Sequence, residues 1–202
     1  MVLVGLKLLI WQAMVKRKRQ AVKTWKRTSK QKLAIDTFYS GSHHARTVGV
    51  IFNDWQDTEP SQIIIDEFDG FLYPYVPGQF FRRELPCILN LLEKVDLSNI
   101  DTVIIDGFLR LCGENGKICS GLGEHLRDRL PSSVSLIGVA KTNYCKTNEI
   151  SEHVIRGCSV RPLYVQGEGQ YTNETAGNLI RLMCGDFRIP TLLKVLDLET
   201  KK

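Results

Sequence analysis

The chain has 202 residues, a net charge of +5 and an apolar fraction of 43%. A chain of this length can bury one core of ordinary size, and its composition is not that of a collagen, a coiled coil or a fully disordered protein. The cysteines form no Cys-x-x-Cys pair, and no histidine lies at zinc-ligand spacing from a cysteine pair, so we expect free thiols in a reducing cytoplasm.

The basic residues are concentrated at the N-terminus. Residues 1–32 contain ten Lys or Arg and no acidic residue, whereas residues 33–202 contain 17 basic and 22 acidic residues. We therefore predict a basic N-terminal arm or helix at 1–31 and a folded domain at 32–202. The arm suits a contact with phosphate backbones and equally suits a solvated tail.

The arm includes an apolar segment at 2–15, which contains Lys7 and Gln12 and is too short to span a bilayer. A basic run at 16–19 follows this segment, whereas a secretory signal has its positive charges first. We expect no membrane association. An amphipathic surface helix, a helix packed on the domain and a start codon placed too far upstream remain alternatives.

Hydrophobic periodicity in the domain predicts strands and helices in a definite order. The predicted strands span 32–39, 47–53, 62–68, 102–105, 135–139, 153–156 and 163–165. The predicted helices span 79–93, 122–130, 173–184 and 190–197. Short polar loops between the first three strands favour an antiparallel meander. The whole order predicts an α/β fold with a ribonuclease-H-like mixed sheet and helices on both faces.

Three acidic residues occupy positions that packing explains poorly. Asp36 interrupts an otherwise apolar strand, Asp106 follows the apolar run at 103–105, and Glu84 lies near the start of a helix. Each could be structural, as a cap or as a first-turn acid favoured by the helix dipole. Converging carboxylates would instead need a cation, and oxygen ligands favour magnesium, with manganese as an alternative. Such an ion can bind a phosphate and activate water.

The segment YPYVPGQFFRRE at 73–84 resembles the signature of the endonuclease V family, in which Tyr-(Ile/Val)-Pro-Gly is followed at the same spacing by Phe-Arg-Glu. Three further blocks match in order, namely LAID at 33–36, VIIDG at 103–107 and IGVAK at 137–141. A weaker match runs from Gly121 and Leu122 to His125. The resemblance covers about residues 32–192.

The resemblance implies a metal-dependent endonuclease that cuts inosine-containing DNA or RNA on the 3′ side of the lesion, one bond beyond the nearest. The products would carry a 3′-hydroxyl and a 5′-phosphate. By position, Asp36 and Asp106 would bind the metal, and Glu84 would support the metal or its water. Lys141 would stabilise charge on the reacting phosphate, although a solvated strand-end lysine is the alternative.

The resemblance also implies nucleic-acid contacts. Arg83 would position the backbone, and the inosine would be flipped out of the stack. Gly121, Leu122 and His125 would contribute substrate contacts, although His125 could equally be packed on a helix face. The strand-separating wedge would consist of Pro74, Tyr75, Val76 and Pro77. Two prolines stiffen such a loop and an aromatic ring replaces lost stacking. A rigid connector packed on the core is the alternative.

The sequence departs from the family pattern in two places. Gly169 falls where the family has a histidine and Thr172 where it has an acid, so Glu168 or Glu174 would be the replacement ligand. The loop after Asp106 also lacks the family's histidine. These departures keep two alternatives open, a catalytically weak or inactive nucleic-acid-binding module and another ribonuclease-H-like nuclease. We expect a monomer.

Overall fold

The computed structural model describes residues 30–202. The predicted arm at 1–31 therefore lies outside the described residues, apart from its last two. None of the described helices is both long enough and apolar enough to cross a membrane.

A seven-stranded mixed sheet forms the centre of the domain, in the order β3-β2-β1-β4-β7-β9-β8. Its strands are β1 (Gln31–Ser40), β2 (His44–Phe52), β3 (Gln62–Asp69), β4 (Ile100–Asp106), β7 (Ser135–Ala140), β8 (Glu152–Val154) and β9 (Leu163–Glu168). A separate two-stranded hairpin consists of β5 (Arg110–Cys112) and β6 (Ile118–Ser120). The predicted antiparallel meander of β1, β2 and β3 is confirmed.

Within residues 30–202, four α-helices pack on the sheet: α1 (Phe81–Leu92), α2 (Leu122–Arg127), α3 (Asn173–Leu182) and α4 (Thr191–Glu199). Alternating residues of β1 face opposite layers because side chains alternate along a strand. Leu33 belongs to the core cluster that includes α1 and α2, whereas Ala34 belongs to the cluster that includes α3 and α4. The predicted fold class, with helices on both faces, is confirmed.

The central strands run parallel, and this positions the site. β1 lies beside β4 with Ile35 opposite Ile105, and β4 lies beside β7 with Asp106 opposite Val139. The carboxyl ends of these three strands therefore meet at one edge of the sheet. In open α/β sheets this edge is where ligands bind.

The short β5–β6 hairpin was not predicted. Each of its strands has only three residues, too few for an alternating pattern to be recognised. The predicted helix at 122–130 was too long, since α2 ends at Arg127. The predicted helix at 173–184 was also too long, since α3 ends at Leu182.

Candidate active site

Asp36 and Asp106 lie side by side at the carboxyl edge of the sheet. The residues just before them, Ile35 on β1 and Ile105 on β4, are partners in the parallel register. The Oδ1 atom of Asp36 accepts a hydrogen bond of 2.8 Å from the backbone N–H of Thr37. Burial and the neighbouring charge of Asp106 raise the pKa of Asp36 to about 7, against the lowering effect of Lys141. The two aspartates thus repel each other in a poorly solvated place.

Glu84 approaches the same point from α1. Its side chain is only 2% exposed, and its Oε2 atom is buried without a hydrogen-bond partner. Burial, followed by the charges of Asp36 and Asp106, raises the pKa of Glu84 well above its usual value. The turn before α1 depends on Gly78, whose φ of +76° favours glycine. A buried carboxylate without a donor requires a proton or a cation.

Lys141 follows β7 and supplies a positive charge beside these acids. Its ammonium donates a hydrogen bond of 2.6 Å to Asp106 Oδ2 and lies 3.4 Å from Asp197 Oδ1. Burial alone would lower the pKa of Lys141, but the carboxylates, led by Asp106, raise it overall. Lys141 therefore remains charged at neutral pH.

Asp197 is a fourth acid beside Lys141, and the sequence motifs did not predict it. It lies on α4, where hydrogen bonds from Lys201 and Lys141 lower the pKa of Asp197. Its position near the end of a short amphipathic helix resembles that of an ordinary surface acid. Only the packing of α4 against the sheet brings it to Lys141, so no local signal was available.

The donor set fits a hard divalent cation, although the acids are not arranged as a finished site. Among residues 30–202, no three His, Cys, Asp or Glu side chains already form a group that could hold a metal ion. The three predicted ligands nevertheless offer only oxygen donors, as magnesium and manganese prefer. A cation bound here would supply the partner that the Oε2 atom of Glu84 lacks and would offset the mutual repulsion of the acids.

Asp36, Glu84, Asp106 and Lys141 line one side of an open cleft of about 1460 Å³, which includes solvent-filled space. We call it the main cleft. Its aromatic lining residues are Tyr39, Tyr75, Phe80, Phe81, Phe108 and Tyr144. A cleft that combines carboxylates with aromatic rings suits a nucleotide, since metal ions bind the phosphate and rings stack on the base.

The sequence matches the family model described as Endonuclease V over residues 15–197. The chain belongs to the endonuclease V family. This confirms the resemblance found in the sequence motifs and the assignment to an endonuclease class. No curated protein sequence matches the chain significantly.

Solved structures of endonuclease V share the fold. Endonuclease V of Ciona intestinalis, in complex with a 24mer DNA containing an inosine followed by a ribo-adenosine, is 19% identical with a TM-score of 0.67, over 85% of this chain and 84% of that one. Human endonuclease V is 21% identical with a TM-score of 0.62, over 87% and 84%. The Streptomyces avermitilis protein is 17% identical with a TM-score of 0.62, over 86% and 81%.

The predicted wedge of this endonuclease V family member is exposed at the rim of the main cleft. The residues at 73–77 are all exposed. Tyr75 is 60% exposed, and its ring meets that of Phe80 edge to face, with centroids 6.0 Å apart. The alternative, a connector packed on the core, does not describe this segment. Its strand-separating role stays a prediction.

Arg83 is half-buried between α1 and β1. Its guanidinium lies 3.9 Å above the ring of Tyr39, and it donates a hydrogen bond of 3.2 Å to the carbonyl of Gly41. It thus ties α1 to the turn between β1 and β2. The predicted role of Arg83 in positioning a nucleic-acid backbone stays a prediction.

The block at 121–125 divides between the cleft and the core. Gly121 and Leu122 line the main cleft, and a Cβ on Gly121 would approach the carbonyl oxygen of Phe108 to 2.7 Å. His125 is stacked on Phe81 with ring centroids 3.7 Å apart. Packing therefore accounts for His125, and its predicted substrate contact is untested.

The predicted replacement ligands lie at the wrong end of the sheet. Glu168 is paired with Leu136, near the start of β7, whereas Lys141 follows the last residue of that strand. The five residue steps from Leu136 to Lys141 correspond to roughly 16 Å of extended strand. Thr172 is occupied as the N-cap of α3, with Glu174 in the first turn of that helix. Asp197, not Glu168 or Glu174, is the additional acid of the site.

Proposed function

We propose that this endonuclease V family member is a metal-dependent enzyme that nicks inosine-containing DNA or RNA on the 3′ side of the lesion, leaving 3′-hydroxyl and 5′-phosphate ends. The observation that carries the proposal is the convergence of Asp36, Glu84 and Asp106 beside Lys141 in a cleft with an aromatic rim. The inosine complex of the Ciona intestinalis relative supports the substrate.

Asp36, Asp106 and Glu84 would hold the ion, with Asp197 beside them. Magnesium or manganese would supply Lewis-acid activation of the phosphate and of a water nucleophile. The Oε2 atom of Glu84 has no donor within the described chain, so it is available to accept a hydrogen bond from the attacking water. The Glu84 carboxylate would thereby orient the water and accept its proton.

Lys141 would stabilise the charge that develops on the phosphate. Its ammonium is half-buried, with 37% of the side chain exposed, and is held in place by carboxylates on two different elements, Asp106 on β4 and Asp197 on α4. A cation held in a partly dry site acts more strongly on a transition state than one in water.

The wedge and the cleft would act on the base. Tyr75, held between Pro74 and Pro77, would insert its ring into the base stack and replace the stacking of the displaced base. The flipped inosine would then occupy the main cleft, which Gly121 and Leu122 help to line. This assigns base recognition and phosphate chemistry to neighbouring parts of one cleft.

The alternative of a catalytically weak binding module has two observations in its favour. Asp106 is paired with Lys141, and no metal-ready group of three ligands is present in residues 30–202. That alternative requires binding to inosine-bearing strands without cleavage at any magnesium or manganese concentration. The active enzyme requires cleavage that depends on the ion.

A cleavage assay separates these functions. Matched DNA and RNA strands with and without one inosine are incubated with magnesium, manganese or a chelator, and the cut sites are mapped. We expect nicking of inosine strands only with metal, and none by Asp36→Ala or Asp106→Ala protein. Asp54→Ala, an exposed acid outside the cleft, is the matched control. Full activity of the Asp36 and Asp106 variants would refute the proposal.

We further propose a cytoplasmic location, a monomeric state, and a contact between the basic residues at 1–31 and phosphate backbones. The last would appear as a weaker salt dependence of binding when the arm is removed.

A further inference from the structure

A second groove lies beside the main cleft and shares a wall with it. It encloses about 1160 Å³ including open solvent, and its lining includes Lys141, Phe187, Arg188, Lys194 and Asp197. We call it the Phe187 groove. Lys141 lines both openings, so the two meet at the residue proposed to act on the reacting phosphate.

The groove presents an aromatic ring and a cation together. Phe187 is 70% exposed, in the segment between α3 and α4. Single exposed apolar residues are common on proteins, but here the ammonium of Lys194 lies 5.4 Å from the ring centroid. Pairs of an exposed ring and a nearby cation suit single-stranded nucleic acids, in which bases stack and phosphates need neutralisation.

Hydrogen bonds and close backbone packing hold the segment that carries Phe187 in place. The buried guanidinium of Arg156 donates hydrogen bonds of 3.0 Å and 3.1 Å to the carbonyls of Gly185 and Phe187. Gly157 has a φ of +56°, and a Cβ there would come within 2.2 Å of the Asp186 carbonyl oxygen. The ring is thus presented on an ordered segment, which lowers the entropy cost of binding.

The groove is also tied to the reacting site. Arg188 donates hydrogen bonds to the carbonyl of Lys141 and, at 2.8 Å, to that of Pro162. The backbone that positions the Lys141 ammonium therefore contacts the wall of the Phe187 groove. A strand bound in the groove would be aligned with the phosphate at Lys141.

Lys194 is the groove lysine whose charge is free for a phosphate among the described residues. Of the two acids of the groove, Asp197 is ion-paired with Lys141 and Lys201, and Asp186 is exposed. Lys194 forms no ion pair with any residue of the described part of the chain, and its ammonium remains over the Phe187 ring. It is therefore available to a backbone phosphate.

We propose that the Phe187 groove binds the nucleic-acid strand on the 3′ side of the cut, with a base stacked on Phe187 and a phosphate bound by Lys194. The direction rests on the proposed function, which puts the inosine in the main cleft and the cut on its 3′ side. The strand that continues past Lys141 into the groove is then the 3′ segment.

The groove proposal is tested by measuring the binding of fluorescent single strands to the full chain. A chelator is present so that no cleavage occurs. Three inosine strands are compared: a short one, one extended on the 3′ side, and one extended on the 5′ side. We expect Phe187→Ala to weaken binding of the 3′-extended strand about fivefold, the effect of losing one stacked base. Binding of the other two strands stays unchanged. Phe187→Trp restores binding, whereas Phe187→Leu does not, since stacking needs a ring.

The charge is tested through salt dependence. Lys194→Gln should lower the slope of log affinity against log salt by about 0.7 for the 3′-extended strand, the value for one phosphate contact on a single strand. Lys202→Gln removes the same charge from an exposed lysine paired with Glu199, and should leave the slope unchanged. Equal slopes for the wild type and Lys194→Gln overturn the assignment of Lys194.

The remaining outcomes separate this proposal from the proposed function. If the wild type nicks inosine strands but Phe187→Ala binds all three strands normally, only the groove proposal fails. If no cleavage occurs but the loss on the 3′-extended strand is seen, the groove proposal is supported and the nuclease proposal fails. A loss confined to the 5′-extended strand, or equal on all three, overturns the groove proposal.

Discussion

The ammonium of Lys141 donates a 2.6 Å hydrogen bond to Asp106, the acid that ends the central strand β4. This contact joins the carboxyl ends of two neighbouring parallel strands. It also places a permanent positive charge where the proposed reaction creates negative charge.

Removing the ammonium should impair catalysis more than binding. We expect Lys141→Met to lower the cleavage rate of inosine strands about a hundredfold, as is typical for loss of one group that stabilises transition-state charge. Substrate affinity in chelator should change little. Single-turnover cleavage and equilibrium binding measure the two effects. A loss of affinity equal to the loss of rate would mean that Lys141 serves binding alone.

Removing Asp197 should also reduce activity, although the sequence did not point to it. Asp197→Asn loses the charge beside Lys141 and the contact at 3.4 Å, and we expect a ten- to hundredfold lower rate, roughly that for supporting residues of metal sites. Lys201→Gln removes the other partner of Asp197 and is the control, with a small expected effect. Similar rates in both variants would contradict a specific role.

Stability without metal should fall as pH rises. The pKa of Asp36 is raised from 3.8 to about 7 in the fold, so above pH 3.8 the unfolded state releases a proton that the folded state keeps. Linkage therefore lowers the free energy of unfolding between about pH 4 and 7. We expect the melting temperature in chelator to decrease across this window, and Asp36→Asn to flatten the decrease.

A divalent cation should reverse this trend, because it replaces the proton as the partner of the carboxylates. Magnesium or manganese should raise the melting temperature of the wild type at pH 7 and have less effect on Asp36→Asn. Thermal melts over pH 4 to 8 supply the measurement. A wild type that is indifferent to both ions would argue against a metal site.

Loss of the wedge ring should affect paired substrates selectively. We expect Tyr75→Ala to lower nicking of duplex inosine DNA about tenfold, since stacking by one ring is worth roughly 1–3 kcal/mol. Single strands, which need no separation, should be cut nearly as before. Tyr73→Ala is the matched control, because Tyr73 is also exposed but its ring meets Phe71 outside the main cleft. Equal losses on both substrates would remove the case for strand separation.

Local patterns in the sequence were sufficient for most of the fold. Alternation and helical spacing placed the seven sheet strands and four helices, because burial on one side leaves a period in consecutive residues. The spacing of YPYVPG before Glu84 and the acids at 36 and 106 identified the family and the three central carboxylates. Each of these signals lies within a dozen residues of chain.

Tertiary structure alone decided which distant side chains share the site. Gly169 and Thr172 stand where the family has a histidine and an acid, which pointed to Glu168 or Glu174 as a substitute ligand. The antiparallel pairing of β9 with β7, however, carries Glu168 to the far end of the sheet. The docking of α4 brings Asp197 to Lys141 instead. The order of the strands and the docking position of α4 depend on long-range packing, which produces no repeating pattern in the local sequence. Such contacts, including the meeting of the Phe187 groove with the main cleft, become visible only in the folded chain.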